Sequence, residues 1–119
     1  MTSENAVRPR PNQAGYSAAK AGLEALGRVL AMELDGTGVR SIVIRVGPTG
    51  SEFGAGMDHA VLKDALAAWK YWGVQRHLHW MPSESVAKAI ARTLVAPVEE
   101  SYVNLVEVMP GGRKRDSDT

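Results

Sequence analysis

One segment constrains this chain more than any other. Residues 39–46 read VRSIVIRV, with five β-branched apolar residues in eight and too few polar ones for clean alternation. A run of that kind is a strand covered on both faces, the pattern of a parallel sheet rather than of an antiparallel sheet with one wet side. Residues 102–108 (YVNLVEV) read as a second strand. Helical segments precede and separate the two, so they are expected to lie parallel, joined by a right-handed crossover, in an α/β protein. Two strands make a marginal sheet, and parallel sheets normally hold several. From patterning alone, the 119 residues look like half of a larger fold.

The rest of the chain fits that frame. Pro9, Pro11, Asn12 and Gly15 mark residues 1–15 as a loop, neither helix nor central strand. A helix is predicted over residues 16–34, where Ala19, Leu23, Leu26 and Leu30 recur at spacings of three and four as a half-buried stripe. Gly36 and Gly38 stop it. Gly47, Pro48, Gly50 and Gly54 form a loop after the first strand, and Val61, Leu62, Ala65, Leu66, Trp69 and Trp72 have helical period. A third helix is predicted from Ser83 as N-cap to about Ala96, with Val86, Ala89, Ile90, Thr93 and Leu94 on one face and Pro97 ending it. Residues 111–119 read as a polar, disordered tail.

Composition excludes several functions. The chain has no cysteine, hence no disulfide framework, thiolate metal site or cysteine nucleophile. Fourteen Lys and Arg against thirteen Asp and Glu leave a net charge of +1, too balanced for a nucleic-acid footprint. Its apolar runs are far shorter than a membrane span and its start has no signal-like core. The expectation is a cytoplasmic protein with neither nucleic acid nor membrane as partner.

Tyr16 and Lys20 are a candidate acid/base pair, and on spacing alone an ordinary helix-start tyrosine beside a solvated lysine is the alternative. Four residues apart at a helix start, they share a face and can approach each other. A phenol normally titrates near 10, and a neighbouring ammonium favours its charged form, which suits proton transfer nearer neutrality. His77 and His79 form an HxH pair without a third ligand at good spacing, and Arg113, Lys114 and Arg115 sit beside Asp116 and Asp118 as a solvated tail. We assign no metal site.

The stretch YSAAKAGL from Tyr16 to Leu23 resembles the active-site helix of the short-chain dehydrogenase/reductase family. Ser3 stands thirteen residues before Tyr16, as that family's catalytic serine does. The loop VGPTGSEF from Val46 to Phe53 is similar to its nicotinamide-side loop, with Gly47 at the Gly position, Val46 in place of the usual Pro and Ser51 in place of the usual Thr. The resemblance implies the carboxyl-terminal half of a Rossmann-type doubly wound parallel sheet, one partial domain over residues 1–119. It implies catalytic roles for Ser3, Tyr16 and Lys20, and NAD or NADP held by Tyr16, Lys20, Gly47, Thr49 and Ser51. The reaction would be hydride transfer between a carbonyl and an alcohol. The family's Gly-rich pyrophosphate turn, ribose-reading residue and catalytic Asn have no counterpart, so the chain is expected to be an amino-terminally shortened form, inactive alone. Residues 53–81 would be a substrate lid whose Trp69, Tyr71, Trp72, Leu78, Trp80 and Met81 suggest a bulky apolar substrate. The family is usually oligomeric, which would make Leu23, Leu26 and Leu30 an interface in a homo-oligomer. The competing expectation is a non-catalytic α/β interaction or dimerisation module that keeps this helix as its contact.

Overall fold

The computed structural model describes residues 1–50, 58–74, 79–95 and 103–111. Its main sheet holds three parallel strands in the order β1 (Thr2–Ser3), β2 (Val43–Val46), β5 (Leu105–Val108). Thr2 and Ser3 stand opposite Arg45 and Val46, and Val43 to Val46 run in register with Leu105 to Val108. Successive side chains of a strand point to opposite faces, and both Val43 and Ile44 are buried. The central strand is therefore covered on both sides, as its composition requires. The ladder is shorter than the apolar run. Gly36 and Gly38 turn the chain at φ 77° and 82°, and residues 39–42 only approach the sheet before the N–H of Val43 donates to the carbonyl of Asn104.

The amino terminus is more regular than the expected loop. Residues 2–3 are a strand, because the prolines that forbid regular structure begin only at Pro9 and leave Thr2 and Ser3 free to pair with β2. The first helix, α1 (Ala14–Glu33), starts two residues earlier than predicted. It also packs with a face about a quarter turn from the predicted stripe, of which Leu30 alone is half-buried. Leu23, Leu26, Val29 and Met32 are exposed, Met32 by 70%, whereas Ser17 and Glu24 are buried. The reason is proximity: Gly27 carries no side chain and lets α1 approach Val43 so closely that a bulky apolar row could not fit between helix and strand.

A short second ladder pairs β3 (Thr49–Gly50) with β4 (Met81–Pro82) in parallel, and the N–H of Met81 donates to the carbonyl of Pro48 at 2.8 Å. It pins the chain leaving β2 to the segment entering α3 (Ser83–Leu94). Pro82, extended in that ladder, occupies the N-cap of α3, so Ser83 is its first helical residue rather than its cap. Between the two ladder segments lies α2 (His59–Tyr71), capped by Asp58, whose carboxylate accepts the N–H of Ala60 at 2.9 Å. Residues 112–119 of the predicted tail, and Tyr102 of the predicted last strand, lie outside the described residues. No helix among the described residues is long and apolar enough to cross a membrane.

Candidate active site

The direction of α1 follows from two contacts. Glu24 meets Arg45, and the carbonyl of Gly27 accepts the hydroxyl of Ser41 at 3.0 Å, so advancing along α1 means retreating along β2. With a rise of about 1.5 Å per residue, Tyr16 stands about 12 Å before Glu24 along the helix axis. That carries Tyr16 and Lys20 past the carboxyl end of β2, the side on which parallel sheets present their binding crevices. Both are half-buried, and the Nζ of Lys20 lies 5.7 Å from the centroid of the Tyr16 ring. The two side chains converge, as helical spacing predicts.

Ser3 ends β1 beside Val46 at the same edge. Its Oγ accepts the backbone N–H of Asn5 at 3.2 Å and caps a 3-10 turn, Glu4–Ala6, leaving the hydroxyl proton available to donate. From there the chain is tied down residue by residue until α1 begins. The amide of Asn5 donates to the side chain of Gln13 at 2.6 Å, and buried Glu4 accepts from Arg10 at 3.1 Å. The Arg10 guanidinium stands 5.2 Å from the centroid of the Trp69 ring, and the Trp69 indole donates to the carbonyl of Pro11 at 2.7 Å. These contacts fix the approach to the head of α1 and fasten α2 to it. None of them was legible in the sequence, although Glu4, Asn5 and Arg10 were in plain view as polar residues in a short loop.

At Gly47 the structure shows a packing reason for glycine. A Cβ there would meet Met109 Sδ at 2.6 Å and Pro110 Cδ at 3.3 Å, so the residue is small to admit the chain leaving β5. Its N–H donates to the carbonyl of Val108 at 2.8 Å. Thr49 donates its hydroxyl to the carbonyl of Gly47 at 3.0 Å and pairs with Met81 in the small ladder. Ser51, His77 and Leu78 lie outside the described residues.

Beneath the site runs a buried ionic network. Glu24 is 3% exposed and Arg45 6%. Arg45 Nε donates to Glu24 Oε2 at 3.2 Å and its Nη2 to Oε1, while Thr2 Oγ1 and Arg28 Nη2 donate to the same carboxylate at 3.3 and 3.0 Å. Arg45 reaches on to Glu107, which also takes Arg8 at 2.6 Å. The Arg45 hydrogen bond holds the Glu24 carboxyl below its usual range against the opposing effect of burial, and Glu24 in turn raises Arg45. Arg8 does the same for Glu107, lowering it.

The expected lid aromatics do not form one pocket. Met81 is buried in β4 and Trp69 holds α2 to the loop at Pro11, while Tyr71, Trp72 and Trp80 are exposed, Trp72 by 67%. A cleft of 270 Å³ lies at the far end of α1, between Leu34, Asp35, Val39 and Arg40. A wider groove of 550 Å³ runs along His59, Leu62, Lys63 and Leu66. Neither is lined by Ser3, Tyr16 or Lys20.

The architecture is thus that of an α/β protein whose polar groups gather beyond the carboxyl ends of parallel strands. Residues 1–94 match the family model described as enoyl-(acyl carrier protein) reductase, and no curated protein matches the chain. The chain belongs to that family, a branch of the short-chain dehydrogenases/reductases, and so to an oxidoreductase family that acts on small molecules and generally uses NAD(P).

Proposed function

We propose that this chain carries the proton-transfer half of an NAD(P)-dependent reductase interconverting a carbonyl and an alcohol. The observation that carries the reading is the approach of Lys20 Nζ to the Tyr16 ring at the head of α1. The donor set fits a nicotinamide riboside and a carbonyl oxygen: a phenol, an ammonium and a serine hydroxyl, all able to donate to oxygen. When bound, the dinucleotide would supply a hydride to the carbonyl carbon, which leaves an electron pair on the carbonyl oxygen to be protonated. The Tyr16 hydroxyl gives that oxygen its proton and is reprotonated from solvent. Lys20 would hydrogen-bond the ribose, and its positive charge favours the phenolate left behind. Ser3 donates its remaining proton to the substrate oxygen as charge develops there. Thr49 and Ser51 would complete the nicotinamide side, with Gly47 setting the turn between β2 and β3.

The 119 residues contain no Gly-rich turn of GxGxxG type. We place pyrophosphate binding in sequence outside them, and residues 1–119 form one partial domain. The exposed row Leu23, Leu26, Val29 and Met32 supports oligomerisation of the intact protein. The matched family's description names an enoyl-(acyl carrier protein), whose carbonyl the same donors would serve. The test is titration of the intact protein and of the 119-residue chain with NADH and NADPH, followed by assay on ketones, aldehydes and an enoyl thioester. Saturable binding and turnover by the intact protein are expected, with negligible binding by the short chain. Absence of cofactor binding by the intact protein refutes the reading and leaves the interaction module standing.

A further inference from the structure

We propose that Glu24 and Arg45 are positioning residues, whose buried ion pair sets the rotation of α1 and its height on β2, and thereby where Tyr16 and Lys20 stand. The inference rests on the reading of Tyr16 and Lys20 as the proton-transfer pair, although its geometric half stands without that reading.

Tyr16, Lys20 and Glu24 follow one another at intervals of four, a single row on one helix face. Whatever fixes the azimuth of Glu24 fixes that of the other two. Glu24 is held by two of the three strands of the sheet, directly by Thr2 of β1 and by Arg45 of β2, and through Arg45 it is linked to Glu107 of β5. Each anchor is a near neighbour of a candidate site residue: Thr2 precedes Ser3, Arg45 lies two before Gly47, and Glu24 is one turn after Lys20. One network therefore registers all three elements that bring the site together.

The rest of the inward face of α1 has little to define a rotation. Ser17 is small, Gly27 has no side chain, Leu30 is only half-buried, and the large apolar residues Leu23, Leu26 and Val29 face outward. Apolar contact is non-directional, whereas a guanidinium forked onto a carboxylate fixes both distance and plane. Stability alone does not require charge here, since well-packed apolar residues of similar volume often serve a buried pair's position as well or better. What the pair adds is direction.

The test uses the intact protein labelled with 13C at the lysine ε-carbon. An ammonium over an aromatic face has its ε-methylene resonance displaced by the ring, and Lys20→Arg and Tyr16→Leu assign the signal and its origin. In Glu24→Gln and Arg45→Lys we expect this displacement to fall by at least half while circular dichroism stays native. The kcat for carbonyl reduction falls by about 100-fold with KM little changed, the scale of an ångström-sized misplacement of catalytic groups. Glu24→Asp, which keeps the carboxylate, recovers part of both. Should the single variants fail to fold, Glu24→Met/Arg45→Met fills the same space without direction and is expected to fold with the displacement lost. Retention of the full displacement in any folded variant lacking the pair overturns the proposal. Lost displacement with undiminished carbonyl reduction overturns instead the catalytic reading of Tyr16 and Lys20.

Discussion

Val43 Cγ2 lies 2.7 Å from the point that a Cβ on Gly27 would occupy, closer than carbon atoms tolerate. The contact sets the distance between α1 and the central strand, and Val43 is too stiff at χ1 to give way easily. Gly27→Ala is expected to destabilise the protein by about 1–3 kcal/mol through overpacking. Gly22, also inside α1, has nothing within 4 Å of its virtual Cβ apart from its own turn of helix. There the same substitution should stabilise by about 0.5–1 kcal/mol, the ordinary helix preference for alanine. Paired urea titrations check the opposite signs.

Acid should unfold the protein through Glu24. Its carboxyl titrates lower in the folded chain than its ordinary 4.5, because Arg45 binds the charged form. A depressed folded value means that protons bind the unfolded chain more readily. The stabilisation is then complete above the unfolded value and is lost as pH falls through the folded one. Glu107 acts in the same direction through Arg8. Glu24→Gln should cost about 3 kcal/mol near neutrality by leaving Arg45 without its charged partner. The gap to wild type should narrow as pH drops below about 4.5, which thermal midpoints taken down to about pH 3 will show.

Gly47 separates a packing role from a ligand role. If it is small because Met109 and Pro110 fill the space beside it, Gly47→Ala should lower stability by about 1–3 kcal/mol. The double variant Gly47→Ala/Met109→Ala should then recover part of that loss, a coupling that a double-mutant cycle measures. Additive losses would contradict the packing account.

Trp69 joins α2 to the loop ahead of Tyr16. Trp69→Phe keeps a ring for Arg10 but removes the donor to Pro11, and should cost about 1 kcal/mol. Trp69→Ala removes both contacts, and hydrogen exchange in α2 should accelerate well beyond that in α1.

What could be read in advance divides along physical lines. The helix at Tyr16, the central strand and its parallel partner were legible because each carries a periodic or β-branched pattern of its own. The face that α1 buries was not, since an apolar stripe reports that a surface is to be covered without saying by what, and Gly27 with Glu24 decided the matter through close approach and charge. One signal was present and unread: Arg45, a cation inside an otherwise apolar strand, needs a buried anion, and Glu24 lies on the helix that precedes it. The ladders of β1, β3 and β4 are two residues long, below any pattern that alternation could reveal. Of the site, the Tyr16–Lys20 approach followed from helical spacing, whereas the ties among Glu4, Asn5, Arg10 and Trp69 depend on tertiary contacts that no local rule supplies.

The central claim is that Tyr16 delivers the proton to a carbonyl oxygen with Lys20 beside it. The most direct measurement is single-turnover reduction of a ketone by the intact protein preloaded with reduced cofactor, comparing wild type with Tyr16→Phe and Lys20→Ala. The account predicts a loss of at least about 100-fold in Tyr16→Phe, the scale of removing a general acid, with cofactor binding retained, and a smaller loss in Lys20→Ala with weakened cofactor binding. Wild-type rates in a folded Tyr16→Phe variant would contradict it.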